Sequence, residues 1–100
     1  MPHTTTGYAV SRVNADRYRL DRTTQDEPRP IAFAERAYDR ARAPVGWRLR
    51  PLVSMRGSPS TLWPAPADAL ASTKLFTVTT AVHMVGAADL AAAPGASPPA

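Results

Sequence analysis

Residues 8–22, YAVSRVNADRYRLDR, contain the clearest structural signal in the chain. Apolar and polar side chains alternate over residues 8–13 and again over residues 17–22, as expected for strands that bury one face. The two runs are separated by Asn14-Ala15-Asp16, a combination of residue types that favours a turn. We therefore predict a β-hairpin, with its apolar face against a core and its polar face in solvent.

The segment that follows the hairpin predicts a helix. Asp26 and Glu27 are followed by Pro28 and Pro30, an arrangement that is common at helix N-termini. Apolar residues then recur at helical spacing, and a proline and a glycine end the pattern soon after Arg42. We expect a helix over about residues 31–42, with an alanine-rich stripe on its buried side.

Residues 47–55 alternate between apolar and polar side chains, so we predict another strand there. Pro51 lies inside this run and cannot donate a ladder hydrogen bond. The strand is therefore expected at an edge of the sheet or at a bulge.

The C-terminal part of the chain favours helices. Pro66 suits the first position of a helix, and residues 67–75 carry apolar side chains at amphipathic spacing. Residues 76–85 fit two structures. Alternating apolar residues and threonines favour a strand, whereas Thr77 can cap a helix that continues through the alanines to Ala93. We choose the helix, which gives two or three helices beside the sheet.

These segments predict one α+β domain over residues 8–93: a small antiparallel sheet, made of a hairpin plus an edge strand, packed against two or three helices. Residues 1–7 are expected to form a disordered lead-in, and residues 94–100 a disordered tail rich in proline and alanine. The core is expected to be thin, because only 17 of the 100 residues are Leu, Ile, Val or Phe. Such a domain is marginally stable or completes its core against a partner or a second copy.

The composition and the motifs argue against several classes of protein. The chain has no cysteine, which excludes disulfides, thiolate nucleophiles and cysteine-based zinc sites. No secretory leader and no membrane-spanning apolar run is visible, so we expect a cytoplasmic protein without membrane contact. His3 and His83 are isolated, and no nucleophile elbow, phosphate loop or dinucleotide fingerprint occurs. We predict a non-enzymatic protein without metal or cofactor.

Arginine supplies the main functional hint. Residues 1–56 hold 11 Arg against six acidic residues, a formal charge of +5. If the hairpin and the edge strand share a sheet, one surface collects Arg17, Arg19, Arg48 and Arg50. Guanidinium groups in such an arrangement suit phosphates. We hypothesise a small accessory or regulatory protein that binds nucleic acid or another acidic partner through this arginine-rich surface.

A simpler interpretation of the same residues is an ordinary solvated surface. A charged patch alone does not define a partner. No aromatic residue is predicted among the arginines, so stacking on bases is not expected.

The alternative function is a protein-interaction module or a homodimer that uses apolar residues in the C-terminal half. Trp63 lies beside prolines, where it suits either a docking anchor or a lid on the thin core. An apolar stripe follows at helical spacing and suits either core packing or pairing with another helix. Its candidate interaction residues are Leu75, Val78, Val82 and Val85.

Overall fold

The computed structural model describes residues 7–23, 28–54 and 61–92. These residues form four β-strands followed by two α-helices. The strands are β1 (Tyr8–Asn14), β2 (Arg17–Arg22), β3 (Arg29–Tyr38) and β4 (Pro44–Pro51), and the helices are α1 (Pro66–Ala71) and α2 (Val78–Ala92). Each strand pairs antiparallel with the next one along the chain, in the order β1-β2-β3-β4. The fold is therefore α+β with an antiparallel sheet, as predicted.

The β1–β2 hairpin confirms the first prediction. Asn14 pairs with Arg17 at its tip, and the Asn14 side chain accepts a 2.8 Å hydrogen bond from the N–H of Asp16. This local contact explains why asparagine favours such turns. Tyr18 and Leu20 point from β2 into the core and are 6% and 0% exposed.

The helix predicted over residues 31–42 is wrong, because most of this segment forms β3. Ala32 and Ala34 are fully buried on one side of β3, and Phe33 between them points to the other side. Alanine is small enough to fit a helical stripe or a crowded central strand, so its spacing does not separate the two structures. Pairing with strands on both edges outweighs the helical propensity of its alanines, since propensity is only a weak determinant of structure.

Pro30, which suggested a helix start, has a different role. It lies in β3 opposite Asp21, where the register between β2 and β3 shifts. A proline is tolerated at such an irregularity, because no ladder hydrogen bond requires its missing N–H. Asp26 and Glu27, the acidic part of the signal, lie outside the described residues.

The edge strand and the two helices follow the prediction with different bounds. β4 lies at an edge of the sheet, as expected, but it ends at Pro51, and residues 52–54 form a bend. α1 begins at Pro66, as predicted, and ends at Ala71. The chain then turns through Lys74, whose φ is +66°.

α2 confirms the helical interpretation of residues 76–85 from Val78 onward. The Thr77 hydroxyl accepts a 3.2 Å hydrogen bond from the N–H of Thr80. This contact is the expected N-cap, which satisfies one of the free amides of the first turn. The predicted terminal disorder covers residues 1–7 and 94–100. Of these, only Gly7 is among the described residues, and its carbonyl accepts a hydrogen bond from Thr23.

Both helices cover the same side of the sheet. α2 packs on β1, and α1 packs on β3, β4 and α2. Side chains from both layers form the main core cluster: Tyr18, Leu20, Ile31, Ala32, Ala34, Trp47, Leu49, Ala69, Leu70, Met84 and Ala88. A smaller cluster lies between the two helices and consists of Ala67, Ala71 and Ala81. In the described ranges, no helix or strand covers the other side of the sheet.

A polar contact fastens the end of α2 to the sheet. The Tyr18 hydroxyl donates a 2.5 Å hydrogen bond to the Asp89 carboxylate, and Nε of Arg12 lies 3.4 Å from the same oxygen. Burial, reinforced by the hydrogen bond to Asp89, raises the pKa of Tyr18 to about 12. The folded protein therefore holds Tyr18 as a neutral phenol.

Candidate nucleic-acid interface

Two rows of side chains cross the uncovered side of the sheet on β2, β3 and β4. The strand register makes these rows Arg17–Glu35–Arg48 and Arg19–Phe33–Arg50. We refer to these six residues as the arginine face. Directly paired residues of neighbouring strands project to the same side of a sheet, so the structure brings all four predicted arginines together.

Phe33 lies at the centre of the arginine face and corrects the expectation that no aromatic ring lies among the arginines. Its register partners on either side are Arg19 and Arg50. Its ring is half-buried, and the guanidinium carbon of Arg17 lies 5.1 Å from the ring centroid, within cation–π range. The expectation is wrong because it depends on a helix in this segment. In a strand, alternation with the buried alanines directs Phe33 outward.

Glu35, in the central part of β3, neutralises part of the positive charge of the arginine face. Its Oε2 lies 2.6 Å from Nη2 of Arg17 and 3.7 Å from Nη1 of Arg50. The carboxylate thus holds two guanidinium groups, from the strands on either side, above the middle of the sheet. The sequence alone does not reveal this contact, which depends on the position of β3.

A second carboxylate lies at the margin of the arginine face. Asp21 is buried, and its Oδ1 lies 3.0 Å from Nε of Arg19. Arg48 is exposed and forms no ion pair with any residue in the described ranges. Four guanidinium groups against the carboxylates of Glu35 and Asp21 leave a formal charge of +2.

A groove of about 420 Å³ opens at one end of the arginine face. Its lining consists of Asn14, Asp16, Arg17, Glu35, Arg36 and Arg50. Nε of Arg36 lies 3.1 Å from Asp16, and its guanidinium carbon lies 4.6 Å from the ring of Trp47. The volume is within the ~300–1,000 Å³ of ordinary ligand sites. Three guanidinium groups against the carboxylates of Asp16 and Glu35 leave a formal charge of +1 there.

Trp63, a candidate of the alternative hypothesis, is tied to the sheet. It exchanges two backbone hydrogen bonds of 2.7 Å with Trp47, and its ring packs against the core. Gly46 permits this approach, since its φ is +144° and a Cβ there would lie 2.9 Å from the Trp63 carbonyl oxygen. This placement suits a lid on the core.

The other candidates of the alternative hypothesis differ in their burial. Val85 is partly buried and packs against both clusters of core residues. Leu75, Val78 and Val82 are 36%, 51% and 55% exposed. The structure therefore divides the predicted stripe into a buried part and an exposed part.

The remaining chemical signals are few. His83 is exposed on α2, and His3 lies outside the described residues. Within the described residues, no cluster of His, Cys, Asp or Glu is large enough to hold a metal ion. None of the helices there is long and apolar enough to cross a membrane. Comparison with protein-family models, with curated proteins and with solved structures finds no match to this chain.

Proposed function

We propose that this chain is a non-enzymatic accessory or regulatory protein of the cytoplasm that binds single-stranded nucleic acid on its arginine face. One observation carries the proposal: an outward-facing aromatic ring, Phe33, sits at the centre of four arginines on a sheet surface that the described helices leave free. An aromatic platform for a base, surrounded by cations for the backbone, is the general pattern of single-strand recognition.

The two parts of the arginine face have different tasks. Phe33 stacks on one unpaired base, a contact that is tolerant of sequence because every base has a π-face. The arginines contact phosphates on either side of that base and provide most of the salt-dependent affinity. Arg48 lacks an ion-pair partner among the described residues and is the first of them available to a phosphate.

The geometry favours single strands over a duplex. A phenylalanine ring cannot stack on a base that is already stacked within a helix. In the described part of the chain, no helix projects from the arginine face to enter a major groove, which is the usual way of reading duplex DNA. Duplex binding would therefore depend on charge alone.

The test is a fluorescence-anisotropy titration with labelled single-stranded DNA, single-stranded RNA and duplex DNA at several salt concentrations. We expect both single strands to bind more tightly than the duplex. If four phosphates are neutralised, the affinity for a single strand falls roughly fiftyfold between about 50 and 200 mM salt. The ratio of RNA to DNA affinity reports whether the ribose hydroxyl is contacted.

Two variants separate stacking from charge. Phe33→Leu keeps the apolar character but removes the ring, and we expect affinity to fall by about five- to a hundredfold with an unchanged salt slope. Arg48→Gln lowers the salt slope by about 0.7. Arg40→Gln, in the exposed turn before β4, makes the same change in net charge away from the arginine face and should have little effect.

Several results would overturn the proposal. Absence of binding at low salt removes it altogether. Equal losses for Arg48→Gln and Arg40→Gln reduce the interaction to overall charge. Wild-type affinity in Phe33→Leu excludes stacking. Far-UV circular dichroism of each variant must match the wild type, so that loss of binding is not loss of fold.

A second candidate function is protein interaction through α2, which the exposure of Val78 and Val82 on successive turns favours. Exposed apolar side chains clustered on one helix suit a hydrophobic partner. Val78→Asp should then reduce association without unfolding the domain, and light scattering that shows no association in the wild type would exclude self-association by this surface.

A further inference from the structure

β1 forms one edge of the sheet, and its outer backbone groups have no hydrogen-bond partner among the described residues. The N–H of Thr23 donates a 2.7 Å hydrogen bond to the carbonyl of Gly7, so the backbone groups of Gly7 point toward β2. Along an antiparallel strand, the backbone groups of successive residues point alternately toward and away from the neighbouring strand. The N–H and C=O groups of Ala9 and Ser11 therefore point toward β2 as well. The residues whose N–H and C=O groups point outward are Tyr8, Val10 and Arg12.

The opposite edge of the sheet is protected, which makes the open edge at β1 distinctive. β4 begins and ends with Pro44 and Pro51, neither of which has an N–H to offer. Between them, Trp47 is occupied by its two hydrogen bonds to Trp63. Prolines and covering segments are common protection against strand pairing, whereas β1 contains no proline, lysine or glycine.

The charge of β1 also differs from that of the other edge strand. β4 carries Arg48 and Arg50 and no acidic residue. β1 carries only Arg12, which lies 3.4 Å from Asp89. Two copies of β1 can therefore approach each other with less like-charge repulsion than two copies of β4.

From these observations we infer that β1 pairs antiparallel with β1 of a second copy and joins the two sheets into one of eight strands. A twofold axis at Val10 places Tyr8 opposite Arg12 of the second copy and Val10 opposite its counterpart. The outward backbone N–H and C=O groups of Tyr8, Val10 and Arg12 are then all hydrogen-bonded, with two hydrogen bonds in each pair. Ala9 meets Ser11 of the second copy, and both side chains are small enough for the closer pairs of an antiparallel ladder.

The pairing is independent of nucleic-acid binding but has a consequence for it. A twofold axis perpendicular to the sheet leaves the helices of both copies on one side and both arginine faces on the other. The dimer therefore presents two arginine faces on one continuous surface.

The first test is sedimentation equilibrium of the full chain over a dilution series. We expect a mass of twice 10.7 kDa that dissociates on dilution. Ala9→Lys combined with Ser11→Lys places like charges opposite each other at both symmetric pairs. Ala9→Lys combined with Ser11→Glu places opposite charges there. We expect the first variant to dissociate about tenfold or more readily than the second.

Amide hydrogen exchange gives a readout that does not depend on any substitution. At dimer concentrations the Val10 amide should exchange slowly, and it should lose this protection on dilution. The Ser11 amide, which faces β2, should stay protected at both concentrations and serves as the internal control.

Three outcomes overturn the inference. A monomer at all concentrations excludes the pairing. Protection of Val10 that does not change on dilution shows that a segment of the same chain covers β1. A dimer that survives both lysine substitutions but is lost in Val78→Asp places the contact on α2.

Discussion

Nη2 of Arg17 lies 2.6 Å from Oε2 of Glu35, on neighbouring strands in the middle of the arginine face. The carboxylate occupies a guanidinium group that the proposed function assigns to a phosphate. A bound phosphate must therefore compete with Glu35 for Arg17, and the strength of that competition sets part of the affinity.

Glu35→Gln should strengthen binding of single-stranded nucleic acid. The substitution keeps the size of the side chain, removes one negative charge and releases Arg17 and Arg50 to the backbone of the ligand. We expect affinity to rise severalfold at low salt and the salt slope to steepen by about 0.7, the value for one additional phosphate contact. Anisotropy titrations at several salt concentrations measure both quantities.

Asp68→Asn is the matched control for that change. Asp68 lies on α1, in the layer that covers the other side of the sheet, and the substitution changes the net charge equally. If Asp68→Asn strengthens binding as much as Glu35→Gln does, the effect is one of overall charge. Unchanged affinity in Glu35→Gln would show that a ligand does not compete for Arg17.

Gly46→Ala should destabilise the fold, because a Cβ at position 46 would lie 2.9 Å from the Trp63 carbonyl oxygen and the φ of +144° is unfavourable for alanine. We expect the free energy of unfolding to fall by about 1–3 kcal/mol. Urea denaturation followed by tryptophan fluorescence reports this change.

Gly86→Ala makes the same chemical change where the structure predicts the opposite sign. Gly86 lies within α2, and a Cβ there meets nothing within 4 Å. Because glycine is a poor helix former, we expect the free energy of unfolding to rise by about 0.5–1 kcal/mol. Equal effects of the two substitutions would contradict the close contact between Gly46 and Trp63.

The hairpin was predictable because its signals are local. Arg17, Tyr18, Arg19 and Leu20 alternate without interruption, and Asn14 supplies the turn. A strand pattern with a turn residue at its end needs no knowledge of the rest of the chain. The same holds for Thr77, whose capping contact lies within one turn of α2.

The central strand was not predictable from local patterns. Ala32 and Ala34 are compatible with a helix, and only their position between β2 and β4 makes them strand residues. That error propagated to the candidate site. The four arginines could be assigned to one surface by alternation, whereas Phe33 and Glu35 reach that surface only when β3 is a strand. The ion pairs depend on register between strands, which alternation does not determine.

The contact between Tyr18 and Asp89 predicts a pH dependence of stability in the alkaline range. Burial and the hydrogen bond to Asp89 raise the pKa of Tyr18 to about 12, against 10.0 for an ordinary tyrosine. The folded state therefore favours the protonated phenol more than the unfolded state does. This contribution to stability is fully present below pH 10 and is lost as the pH rises through about 12.

Tyr18→Phe should remove the part of the stability loss at alkaline pH that comes from the ionisation of Tyr18. Below pH 10 we expect the variant to be less stable than the wild type by about 1–2 kcal/mol, since it lacks a hydrogen bond to a carboxylate. The difference should shrink between pH 10 and 12, because over that range Tyr18 ionises in the unfolded wild type while the folded state keeps its phenol protonated. Urea denaturation at fixed pH values measures it, and an ultraviolet titration of tyrosinate should lose the step near pH 12 in Tyr18→Phe. Tyr38→Phe, which removes an exposed hydroxyl bonded to Asp16, should keep that step. A stability difference that does not change with pH would show that Tyr18 ionises alike in the folded and unfolded states.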